Sequence, residues 1–162
     1  GNANKIISAG ATGAPAPFPR PVTSGTTKLR GTGTIAFSGA VTGAIDMNND
    51  AGTITFADNK NLTGTISSTG GTAGTVTFSG TSTVSGAVSG LTTINAGANT
   101  DTVTFSSAVT ATNLEVSGTG NVALNGTFTG QLDMNNKAAT VTFADNANLT
   151  GTIVRSEERR VG

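Results

Sequence analysis

The chain has 162 residues, nine basic and nine acidic side chains, no net charge and only 11% charged residues. Without residues 155–162, six basic and seven acidic side chains remain, a balance that speaks against an electrostatic nucleic-acid or anionic-membrane partner, since either requires clustered Lys and Arg. His, Cys, Tyr and Trp are absent, which removes Cys–His and Ser–His–Asp nucleophile systems and His-based metal sites from this chain.

In chain order, residues 1–30 read as an N-terminal junction. Lys5-Ile6-Ile7 is a short apolar run suited to the edge strand of a coil, and all four prolines fall within residues 15–21. Such a run cannot donate a full strand ladder, so an extended loop is expected there. From residue 31 a short pattern recurs: Thr34-Ile35-Ala36-Phe37, Thr53-Ile54-Thr55-Phe56, Thr75-Val76-Thr77-Phe78, Thr102-Val103-Thr104-Phe105 and Thr140-Val141-Thr142-Phe143, with a degenerate copy at Asn121-Val122-Ala123-Leu124. Each is a strand of period two, the β-branched residue and Phe pointing one way and the two small residues the other. The intervals between successive Phe (or Leu) positions are 19, 22, 27, 19 and 19 residues, the size of one solenoid coil. No segment holds a 3.6-residue period, and Thr, Val, Gly and Asn are poor helix formers.

A longer repeat lies over the short one. Asp46 through Ile66 returns as Asp133 through Ile153, 87 residues later, differing at only four positions. Upstream, Gly31-Thr32-Gly33 matches Gly118-Thr119-Gly120, while Val41 and Ile45 match Phe128 and Leu132. Stacked arrays lengthen in this way because each coil touches only its neighbours. The pattern predicts an all-β, single-stranded β-solenoid over residues 31–154, with about six coils of 19–27 residues. Ile35/Ile54/Val76/Val103/Val122/Val141 would form one interior column and Phe37/Phe56/Phe78/Phe105/Leu124/Phe143 another. With strands ~4.8 Å apart, six coils make a rod section roughly 30 Å long. Pairs such as Ser38-Gly39 and Thr63-Gly64 supply the corners, since Gly accepts positive φ.

Residues 155–162 break the pattern with three basic and two acidic side chains in eight positions. This segment resembles translated adapter sequence and is set aside as non-native. No stretch approaches the ~20 apolar residues that span a bilayer, so no membrane insertion by this chain is expected.

Three segments, Thr102-Val103-Thr104-Phe105, Gly118 through Leu124 and Thr140 through Gly151, resemble the passenger region of autotransporter outer-membrane proteins, in particular the rickettsial-type surface antigens. The resemblance covers most of residues 1–154 and rests on composition and period. It implies a right-handed parallel β-helix, secreted and held at a Gram-negative cell surface by a C-terminal β-barrel outside this chain. It also implies adhesive or protective roles, with a host-cell or extracellular-matrix receptor as partner.

Together with this resemblance, the residues lead to the expectation of a structural or adhesive segment that is not an enzyme and needs no cofactor. Asp46, Asp50, Asp58, Asp101, Glu115, Asp133 and Asp145 are available carboxylates, but the sugar-stacking aromatics of a glycosidase groove are missing. Recurrence of Asp46 and Asp58 as Asp133 and Asp145 follows from duplication. The Asp-Asn loops offer oxygen ligands without calcium-site spacing, and Asp and Asn are ordinary turn residues, so no metal is expected. The alternative is a ligand-binding solenoid, for ice or an extended glycan. Alternation places Thr53, Thr55, Thr75, Thr77, Thr102, Thr104, Thr140 and Thr142 outward as a candidate binding face. Thr also suits the wet side of any strand.

Overall fold

The computed structural model describes residues 4–8 and 16–155. Over these the chain is all β, with short parallel strands and no helix, wound as one β-solenoid of about seven turns. Each turn lays strand segments on three faces. On the first, Ala16, Ile35, Ile54, Val76, Ile94, Leu114, Leu132 and Ile153 stack at intervals of 18 to 22 residues. The second stacks Val22, Val41, Leu62, Val84, Phe105, Leu124 and Phe143. The third stacks Thr27, Ile45, Ile66, Val88, Val109, Phe128 and Leu149. These columns meet in one continuous core, and nearly all their side chains are buried until the last turn.

Inward placement of the Phe and β-branched residues holds as the pattern predicts: Ile35, Phe37, Ile54, Phe56, Val76, Phe78, Val103 and Phe105 are all buried. Their grouping into two uninterrupted columns does not. Thr75–Phe78 is followed on its own face by Thr93, Ile94 and Asn95, whereas Thr102–Phe105 stacks on Ser82–Val84 of the second face. The first four Phe rings, Phe18, Phe37, Phe56 and Phe78, follow one another with centroids 5.6, 5.5 and 5.2 Å apart, the first pair tilted at 41° and the next two stacked. Between Phe78 and Phe105 the rings are 5.6 Å apart but at 85°, because they approach across the core from different walls. The 27-residue interval is therefore no coil length; it is one turn plus a step to the next face.

The cause lies in Ser79–Val84. This turn carries two Ser-Gly corners, Ser79-Gly80 and Ser85-Gly86, with the strand Ser82–Val84 between them. Ser82–Val84 takes the second face, as Leu62 does one turn earlier, and the Thr-x-Thr-Phe motif then returns one face later than before. Ser82 shows the strain of the splice: its side chain points inward, is 1% exposed, and its hydroxyl has no hydrogen-bond partner. Burying an orphan hydroxyl costs on the order of 1–3 kcal/mol. Ser82→Ala should accordingly raise stability by about 1 kcal/mol, seen as a higher urea midpoint at unchanged slope. A lower midpoint would show that the hydroxyl is bonded.

The solenoid also begins earlier than residue 31. Ala16–Phe18, expected as loop, is a strand paired in parallel with Ile35–Phe37, and Lys5–Ser8 pairs with Thr27–Arg30 as the apolar run suggests. Pro17 is tolerated because it is exposed and its strand pairs on one side alone among the described residues, where its missing N–H breaks no ladder. This adds a turn to the expected six. The duplication reaches back with it: Phe18 corresponds to Phe105 at the same 87-residue offset, and the buried positions Val22, Ser24, Thr27 and Leu29 correspond to Val109, Ala111, Leu114 and Val116. Since 87 residues amount to four turns plus one wall, the second copy is rotated by one face relative to the first.

Corners repeat as regularly as strands. Gly43 (φ 118°) and Gly64 (φ 151°) bend successive turns, and a Cβ on Gly64 would fall 2.1 Å from the Gly43 carbonyl oxygen; only glycine fits. Another corner uses paired asparagines: Asn48 and Asn49 have φ of 53° and 57°, Asn135 and Asn136 of 45° and 52°, a region that Asn tolerates. Residues 156–162, where the adapter-like tail falls, lie outside the described residues.

Candidate functional site

The eight candidate threonines do not form one face. Thr53 and Thr55 lie over Thr75 and Thr77 on the first face, while Thr102, Thr104, Thr140 and Thr142 lie on the second. Each Thr-x-Thr patch is short. Above Thr75 and Thr77 come Thr93 and Asn95, with Asn95 Nδ2 donating to Thr77 Oγ1 at 3.2 Å; below Thr53 and Thr55 come Thr34 and Ala36. On the second face, Asn121 and Ala123 separate the Thr102/Thr104 rung from Thr140/Thr142. Most of these threonines are half-buried, and only Thr140 and Thr142 are exposed.

The carboxylates belong mainly to corners. Asp46 Oδ1 accepts the Asn48 amide at 2.8 Å and the Thr69 amide of the next turn at 2.9 Å, while Oδ2 meets the Lys28 ammonium at 3.3 Å. Asp50 accepts the Gly31 amide, Asp58 the Thr81 amide, and Asp133 the Asn135 amide. Each closes a turn by satisfying a backbone donor. Among the described residues, no three His, Cys, Asp or Glu side chains are grouped to hold a metal ion. The sequence reading missed the Lys28–Asp46 pair, although the two residues stand one coil apart.

Burial raises the affinity of Asp46 for its proton, but the Thr69 and Asn48 amides, the Thr69 hydroxyl and Lys28 outweigh it, leaving the carboxyl below its ordinary value. The folded state thus holds this proton less tightly than the unfolded chain does. The stabilisation is complete above the unfolded value, about 4, and is lost as pH falls through the lower folded value. Asp46→Asn should cost about 1–2 kcal/mol at neutral pH and progressively less in acid. Urea midpoints of both proteins across pH test this; a gap independent of pH overturns it.

The second copy reverses one charge. Where Lys28 lies beside Asp46, Glu115 lies beside Asp133 on the adjacent strand. Like charges on neighbouring rungs repel. Glu115→Lys should restore the pairing and gain about 0.5 kcal/mol, measured as a rise in the melting temperature that disappears in high salt.

Two surface depressions stand out. One, about 190 Å³, runs along the bend between the third and first faces, lined by Thr72, Gly90, Leu91, Thr110, Ala111 and Thr129. The other, about 300 Å³, opens at the last turn over Met134, Val141, Phe143 and Ile153, rimmed by Lys137 and Arg155. No helix is long and apolar enough to cross a membrane, a statement that does not bear on β-barrels. No family model, curated protein or solved structure matches this chain significantly.

Proposed function

We propose that this chain is a rod-forming, non-catalytic section of a secreted bacterial cell-surface protein, of the autotransporter passenger kind, with a structural or adhesive role. The observation that carries this reading is the solenoid with outward columns of small polar side chains: Thr34, Thr53, Thr75 and Thr93 continue into Asn113 and Gln131 along the first face. Such a surface is hydrated and close to neutral, and it lengthens by adding turns. Its carboxylates serve corners, which supports a scaffold over a reaction centre. The partner would be a host-cell or matrix receptor, and the anchor a β-barrel outside this chain.

Display tests the proposal. Fused ahead of an outer-membrane β-barrel in a Gram-negative host, the chain should appear on the cell surface, become accessible to external protease, and confer saturable attachment to host cells or matrix proteins. Retention in the periplasm, or attachment to polysaccharide alone, would overturn it. The second reading, glycan binding, is favoured by the threonine-lined cleft at Thr110 and Thr129, whose hydroxyls and apolar floor suit an extended sugar. Ice binding has less support, because neither face stacks more than two of the candidate Thr-x-Thr rungs in succession; an ordinary freezing curve at high protein concentration would remove it.

A further inference from the structure

One corner differs from its neighbours in chemistry. The step from the second face to the third passes through Thr63-Gly64, Ser85-Gly86, Ser106-Ser107 and Asn125-Gly126 in successive turns. Only the last of these sets a side-chain amide ahead of a glycine, and it is the one Asn-Gly pair in the chain. Packing fixes the glycine: a Cβ on Gly126 would fall 2.5 Å from the Ser107 carbonyl carbon and 2.6 Å from the Ala108 nitrogen.

Hydrogen bonds hold the chain on both sides of this pair. Asn125 N–H donates to the Phe105 carbonyl at 2.9 Å, Ala144 N–H to the Leu124 carbonyl at 3.0 Å, and Phe128 N–H to the Asn148 carbonyl at 2.8 Å. Among the described residues, the peptide unit joining Asn125 to Gly126 takes part in no backbone hydrogen bond, whereas Gly86 N–H donates to the Gly64 carbonyl at 3.0 Å. Asn125 is exposed, so water and hydroxide reach it. Elsewhere asparagine side chains are tied down, as where Asn61 Oδ1 accepts the Thr83 amide at 2.9 Å. At Asn125 an electrophilic amide carbon therefore stands next to an unbonded main-chain nitrogen, and the glycine that follows has no Cβ to hinder their approach.

From this geometry we infer that Asn125 is a modification site, converted in the folded chain to aspartate and isoaspartate without an enzyme. The Gly126 nitrogen gives its proton to hydroxide and bonds to Asn125 Cγ, the Cγ–Nδ2 bond breaks, and ammonia leaves, closing a succinimide ring. Water then adds to one of the two ring carbonyls. Opening at Cγ breaks the new bond and yields aspartate on the original backbone. Opening at the main-chain carbonyl breaks the peptide bond and yields isoaspartate, whose backbone runs through Cβ and Cγ and is longer by a methylene. Both products add a negative charge to a nearly neutral surface. Isoaspartate also lengthens the corner between Leu124 and Phe128, both fully buried, so the added atom must be absorbed between two side chains fixed in the core. Older copies of the rod then differ from newer ones at this corner.

The test is incubation of the whole folded chain in mildly acidic and mildly alkaline buffer, followed over days by peptide mass mapping. Exchange of amide for acid is expected at Asn125 ahead of every other asparagine among the described residues. Its rate should rise by up to about tenfold per pH unit, because hydroxide removes the proton of the attacking nitrogen. A protease that cuts before aspartate but not before isoaspartate separates the two products. In the isoaspartate fraction, amide hydrogen exchange should quicken at residues 124–128 and stay unchanged at the Ser85-Gly86 corner. Asn125→Ser, which installs the residue found at that equivalent corner, should fold and lose the mass change entirely. Retention of the amide at Asn125, conversion only after urea has unfolded the chain, or faster conversion at another asparagine overturns the inference. Isoaspartate with unaltered exchange at residues 124–128 overturns the lengthening of the corner.

Discussion

Phe56→Ala is expected to destabilise the chain by about 3–5 kcal/mol, the largest loss from a single substitution here. Phe56 is fully buried, with the Phe37 ring 5.5 Å away on one side and the Phe78 ring 5.2 Å away on the other. Truncation removes a ring and leaves a void between two others that strand pairing prevents from closing, since the backbone ladder fixes their separation. The counterpart Phe143 provides the control. Lying in the last turn of the described residues and only partly buried, it should cost less than half as much when replaced by Ala. Urea unfolding followed by far-ultraviolet circular dichroism measures both. Equal losses at the two positions would show that the Phe stack contributes nothing beyond its local turn.

Deleting Ser79–Val84 should leave a folded protein whose second half has rotated by one face. The deletion shortens the Phe78-to-Phe105 interval from 27 to 21 residues, within the range of an ordinary turn, and joins Phe78 to Ser85-Gly86-Ala87-Val88 just as Phe37 joins Ser38-Gly39-Ala40-Val41. Thr102–Phe105 would then settle over Thr75–Phe78, and the Phe78–Phe105 contact would change from edge-on to stacked. Nuclear Overhauser contacts between Val76 and Val103 side chains report the new register. Removing Ser82–Val84 alone keeps a corner with no wall after it and should cost roughly 3 kcal/mol or more, because inward residues are then displaced from the core. If the six-residue deletion unfolds the chain and the three-residue one does not, the face-shift account fails.

Much of this architecture is legible in single residues. Thr53-Ile54-Thr55-Phe56 declares its inward and outward sides without any neighbour, because alternate Cβ atoms leave a strand on opposite sides. The corner residues are legible for the same local reason: Gly43 and Asn48 each relieve a backbone strain arising within a few residues. Pro17 was harder to read, since a proline at the edge of a sheet and one in a loop look alike until pairing is known. The candidate Thr face failed at longer range. Its eight members share a motif, but Thr77 and Thr102 stand on different walls, so a shared motif did not mean a shared surface.

From the sequence alone came the all-β class, the solenoid, the inward Phe and β-branched residues, and the duplication from Asp46 onward. Each follows from alternation or spacing, properties a strand carries by itself. Tertiary structure decided which wall each strand occupies, and where the Phe stack is handed from one face to the next. Those outcomes depend on the summed lengths of all preceding corners. Six extra residues at Ser79–Val84 leave every local pattern intact while turning everything after them by one face.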